Sequence, residues 1–169
     1  MKKIFFSMLM CIGMVGYAQA AQVKVNWQDP DKFTDIRPTN ETRDAFRQRL
    51  FDALDEVFRD NAKALPENYL LEINVTNLDL AGDTNVLHPN NGHDIRLIKD
   101  IYWPRMSLQF SLKNDSGAVV SEGKANLSDM SFLFTHRIVT SHTGFEYEER
   151  MINNWFKEQQ RTNAFHIKN

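Results

Sequence analysis

The stretch MSLQFSLKNDSGAVVSEGKANL, Met106–Leu127, decides the fold. Met106, Leu108, Phe110 and Leu112 alternate with Ser107, Gln109 and Ser111, the two-residue period of a strand with one buried and one wet face. NDSG at 114–117 supplies turn residues and a second alternating run follows, so an antiparallel hairpin is predicted. Such a sheet needs cover on its apolar side only.

Upstream, YLLEINVTNLDL (Tyr69–Leu80) sets Leu71, Ile73 and Val75 against Glu72, Asn74 and Thr76 and reads as another strand. VKVNW (Val23–Trp27) is a short first strand, halted by Asp29-Pro30. Between them, from Asn40 to Leu65, Phe46, Leu50, Leu54, Val57 and Phe58 recur at helical spacing, with Asn40 as the expected cap and Pro66 as the stop. A last helix begins near Phe145 and gathers Met151, Ile152, Trp155 and Phe156 on one face, leaving Glu149, Arg150, Asn153 and Lys157 outward. The order β-α-β-β-β-α predicts an α+β two-layer sandwich: a mostly antiparallel sheet of about four strands with two helices on one face.

Residues 1–20 read as a cleaved signal peptide. Lys2 and Lys3 lead an apolar run from Ile4 to Tyr17, shorter than the roughly 20 residues of a spanning helix, and Ala18-Gln19-Ala20 is a small-residue cleavage site. Met10 stands where lipidation at Cys11 would need a small residue. The expected product is one α+β domain, residues 21–169, periplasmic or secreted. Its only cysteine leaves with the signal, so neither disulfides nor a thiol nucleophile remain.

Loss of the two lysines makes the chain more acidic than its full-length balance of −2, and no basic run tracks a phosphate backbone, which argues against nucleic acid. No membrane-length apolar run follows residue 20, in keeping with a mean hydropathy of −0.47. The glycines form neither a phosphate-cradling loop nor a dinucleotide fingerprint, and no cofactor is expected.

If the last three strands run up, down and up, Asp79, Arg105 and Asp129 converge at one pole. Two long connections leave from it. One carries Asp83, His88, His93, Asp94, Arg96 and Asp100, the other His136 and His142. Candidate binding residues there are Asp79, Asp83, His93, Asp100, Trp103, Arg105, Asp129 and His136. Within VLHPNNGHDIR (86–96), His88 and His93 have the spacing of one zinc-ligand pair, with Asp83 or Asp94 to complete a mixed shell, but PNNG between them reads first as a plain turn. Ser128, Ser131, Asp129, His136 and His142 hold the residue types of a hydrolase without the Gly-x-Ser-x-Gly elbow. In IYWPR (101–105), Trp103 and Arg105 are the material of an exposed platform for a sugar or peptide, although a tryptophan there also suits the edge of the core.

VNWQDPDKFTD, NVTNLDLAGD, DIRLIKDIYWPR, NLSDM and YEERMINNWF together resemble a family of small exported bacterial proteins known as a domain of unknown function, over about Val23 to Phe156. The resemblance implies bacterial export and assigns no functional residue. The expected function is a non-enzymatic binding or accessory domain of the envelope, with an envelope protein or component as partner. The alternative is a small hydrolase or metal-dependent enzyme using His and Asp of the two connections.

Overall fold

A computed structural model describes residues 21–84, 95–134 and 144–165. Its elements are β1 (Gln22–Trp27), a 3-10 turn (Pro30–Lys32), α1 (Arg43–Ala62), β2 (Leu70–Asp79), β3 (Arg105–Lys113), β4 (Val119–Ser128) and α2 (Glu146–Arg161), the expected order. The sheet order is β1-β2-β3-β4. β2, β3 and β4 pair antiparallel, and β1, reached across α1, lies parallel to β2. The α+β sandwich with a mixed, mostly antiparallel sheet and two flanking helices is therefore the fold.

The core follows from the two periodicities. α1 buries Phe46, Leu50, Leu54, Phe58 and Ala62, one residue per turn, and α2 buries Met151, Ile152, Trp155 and Phe156. They meet Leu71, Ile73, Val75, Met106, Leu108 and Leu112 of the sheet in one cluster. Each such side chain, once removed from water, contributes about 1.5–3 kcal/mol.

Two local readings need correction. The α1 cap is Thr42, whose hydroxyl accepts from Ala45 N at 3.3 Å, because the chain turns helical only at Arg43; Asn40 lies outside the helix. Glu149 and Arg150 are not outward: the first turn of α2 sits against the strand ends, which buries Glu149 and Glu148, and the Arg150 side chain, 12% exposed, turns to Asp129.

One irregularity in β2 positions everything that follows. A bulge between Val75 and Asn77 shifts the register against β3. Before it the odd-numbered Leu71, Ile73 and Val75 face the core; after it the even-numbered Leu78 and Leu80 do. The extra residue thus turns Asn77 and Asp79 away from the core, which an unbroken alternation would have pointed inward. Asn77 accepts from Thr34 N at 2.9 Å, and Asp79 lies directly opposite Arg105.

Candidate functional site

The loop-bearing pole is built around Asp79, the last residue of β2, and the four that continue it, Leu80-Ala81-Gly82-Asp83. Residues after the 3-10 turn flank them on one side: Asp35 bridges Asp79 in parallel, with Leu80 N donating to Asp35 O at 3.1 Å. On the other, Asp83 and Leu97 form an antiparallel bridge at 2.9 and 3.0 Å, and Gly82 N donates to Tyr102 O at 2.9 Å. Gly82 is obligatory. Its φ of +85° is left-handed, and an added Cβ would lie 2.7 Å from Ile98 Cδ1 and 2.8 Å from Leu97 O.

Arg96 locks these segments together. Its guanidinium meets Asp35 through both nitrogens, at 3.0 and 3.3 Å, and donates also to the carbonyls of Arg37, Ala81 and Gly82. The pair is largely buried, at 17% and 11% exposure. A second clamp joins the end of β4 to α2: Arg150 donates to Asp129 Oδ2 at 2.9 Å and to Phe132 O at 2.6 Å, while Asp129 Oδ1 accepts from Ser131 N and Oγ at 3.2 Å. From the helix side, Glu148 accepts Ala81 N at 2.7 Å, and burial pushes its carboxyl up to about 7, with that hydrogen bond and Arg96 partly opposing.

Two hollows of about 240 Å³ each lie either side of Leu80. The one toward the helices is lined by Arg37, Arg49, Arg96, Phe145 and Glu148 among others. The other is lined by Thr34, Asp35, Asp79, Asp83, Tyr102, Trp103 and Arg105. In it the Arg105 guanidinium stacks on the Trp103 ring, 4.4 Å from its centroid, and reaches Asp79 Oδ2 at 3.3 Å. Burial raises the pKa of Asp79; Arg105 opposes this and Asp35 adds to it.

Asp79, Asp83, Trp103 and Arg105 thus share one cleft. Asp129 is at the same pole, its backbone N bonded to Pro104 O at 3.3 Å, but its carboxylate turns to Arg150. Asp100 is exposed in the Lys99–Tyr102 turn and does not line the cleft. His93 and His136 lie outside the described residues, as do His88, Asp94 and His142. Among the described residues no group of three or more His, Cys, Asp or Glu is placed to hold a metal ion, and no helix is long and apolar enough to cross a membrane.

Sequence reasoning missed Asp35, Glu148 and Arg150 and took Arg96 as a loop residue. The available signal was that all four fall within FTD, DIRLIKDIYWPR and YEERMINNWF, the stretches that carried the resemblance.

Comparison with known proteins gives a family and a distant structural likeness. The family described as Protein of unknown function (DUF3016) matches residues 21–158. Among solved structures, a dodecamer of a PelC point variant from Paraburkholderia phytofirmans is similar at 16% identity, over 81% of this chain and 82% of that one, with a TM-score of 0.37. A second PelC dodecamer from the same organism is similar at 14% identity over 80% and 85%, with a TM-score of 0.30. No curated protein sequence matches.

Proposed function

Because the chain belongs to the DUF3016 family, whose description carries no activity, we propose a function from geometry: an exported envelope protein that binds a partner without turning it over. Its contact surface is the cleft beside Trp103 and Arg105. The observation that carries this is the Arg105–Trp103 stack: the Arg105 side chain is held against an aromatic face yet remains 48% exposed. An exposed arginine held on a half-buried tryptophan beside a concave surface combines the residue types that dominate binding energy at interfaces. The polar lining from Thr34, Asp79 and Asp83 supplies acceptors for a hydroxyl- or amine-bearing envelope component.

The non-enzymatic reading is supported by what the carboxylates already do. Asp35, Asp79 and Asp129 are each ion-paired, to Arg96, Arg105 and Arg150, and fasten one chain segment to another. Export is supported by the residue pattern of 1–20.

The experiment is affinity capture from a solubilised bacterial envelope fraction by the purified protein and by Trp103→Ala and Arg105→Ala variants of unchanged Tm. Loss of about 1.4–3 kcal/mol at such residues lowers retention of the specific partner by about tenfold or more. Partners captured equally by all three proteins sink the proposed surface. Intact mass of the cell-derived protein checks export, which requires a chain beginning at Ala21.

A further inference from the structure

The sheet has two edges, and they differ. β1 is six residues long and bears one charged side chain, Lys24. β4 is ten residues long, and among the described residues no strand pairs with its outer side. From Ser121 onward its register against β3 is regular, with Glu122 and Lys124 opposite Ser111 and Gln109 on the wet face and Gly123 opposite Phe110 between them. Both charged residues are exposed. Neither is ion-paired within its own chain among the described residues.

We propose that β4 pairs antiparallel with β4 of a second copy about a two-fold axis through Gly123, joining two sheets into one. A two-fold axis normal to the sheet keeps the wet faces on the same side, and residues directly opposite one another then share a face, so the axis must pass through a residue. Centred on Gly123, Glu122 stands opposite the partner's Lys124, and Lys124 opposite the partner's Glu122. The two glycines meet on the axis and offer no side chain to hinder approach, while Ser121 falls opposite the partner's Ala125, both small.

Every neighbouring register is worse. Centring on Glu122 sets glutamate against glutamate, and centring on Lys124 sets lysine against lysine; like charges directly opposite are destabilising. Centring on Ala125 leaves Lys124 opposite asparagine and Glu122 opposite serine, so no opposite charges meet. A single charge on an edge strand guards it against pairing. A Glu-x-Lys arrangement opposes like charges in the registers centred on either charged residue and joins opposite charges only in the one centred between them, and the partner it fits is another copy of itself.

Sedimentation equilibrium of the purified protein tests this, with Lys124→Glu and the swap Glu122→Lys/Lys124→Glu. These side chains lie on the solvent face, and thermal melting confirms that the variants fold. The expected result is concentration-dependent dimerisation that Lys124→Glu weakens by at least about tenfold, as two attractive pairs become repulsive, and that the double swap restores. A protein monomeric up to sub-millimolar concentration overturns the proposal. So does association indifferent to Lys124→Glu, or a swap that fails to restore what the single change removed.

Discussion

At one end of the sheet the chain reverses around a single neutral amide. Asn114 Oδ1 accepts from Ser116 N at 3.1 Å, Ser116 Oγ at 2.7 Å and Ala118 N at 2.9 Å, all within five residues. At the other end Arg96 is bonded to Asp35, 61 residues away, and Glu148 to Ala81, 67 away. The hairpin turn is satisfied locally and in water. The loop end holds ionised and ionisable groups out of water, and their partners arrive only when distant segments have packed. Folding alone does not require charge in such a place, since apolar side chains of similar size often do as well. At this end it stands beside the cleft proposed above as the binding surface.

The sharpest way to break this contrast is to cut one ion pair at each end. Arg96→Ala leaves the Asp35 carboxylate nearly buried and unpaired and strips three carbonyls of a donor, so a loss of about 3–5 kcal/mol is expected. Lys113 and Glu72 at the hairpin end meet at 2.6 Å but are 31% and 38% exposed, and Lys113→Ala should cost no more than about 1 kcal/mol. Urea unfolding of both variants measures the difference. Equal losses would mean that Arg96 is an ordinary surface arginine.

These two ends were not equally legible in the sequence. The hairpin could be read because its information is local: alternating Met106, Leu108, Phe110 and Leu112, then NDSG. The convergence of Asp79, Arg105 and Asp129 also followed from strand direction alone, and the register bears it out, Arg105 standing opposite both Asp79 and Ser128. What periodicity could not give was partnership. Nothing in FTD announces that Asp35 will lie beside Arg96, and nothing in EYEER separates the inward Glu148 from the Glu146 near it. The bulge at Thr76 was equally silent, although it decides that Asp79 faces outward. Position along an element follows from spacing; pairing between elements follows from packing that spacing does not encode.

Glu148 sharpens the comparison through pH. Its carboxyl keeps its proton to about 7 in the folded chain, against an ordinary value of 4.5. Between those values the native state binds more protons than the unfolded one, so the contribution is fully present below 4.5 and is lost as pH rises through 7. Over the whole window this amounts to about 3 kcal/mol. Glu148→Gln keeps an oxygen for Ala81 N and removes the titration, so its stability should decline less than the wild type's between pH 5 and 8. Taking the difference between the two proteins cancels other groups, including Asp55 and Asp79, whose pKa values burial also raises. Parallel curves would show that Glu148 is hydrated in the native state.

The smallest effect isolates backbone from charge, because each end contains a left-handed glycine. Gly117 has φ +80° with no atom within 4 Å of an added Cβ, so Gly117→Ala should cost about 1 kcal/mol from conformation alone. Gly82 has φ +85° with Ile98, Leu97 and Arg96 atoms at 2.7–2.9 Å, one of them a backbone oxygen that cannot swing aside. Gly82→Ala therefore carries the same conformational cost plus overpacking, about 2–3 kcal/mol together. Only the second change should also weaken the cleft, since the Leu97 carbonyl it displaces accepts from Asp83 N and Gly82 N holds Tyr102 beside Trp103. If Gly82→Ala melts like Gly117→Ala and still binds the captured partner, the loop end is pliant and the cleft is not preorganised. If it loses both stability and partner, the rigidity that costs the fold charge burial and backbone strain is what the binding surface depends on.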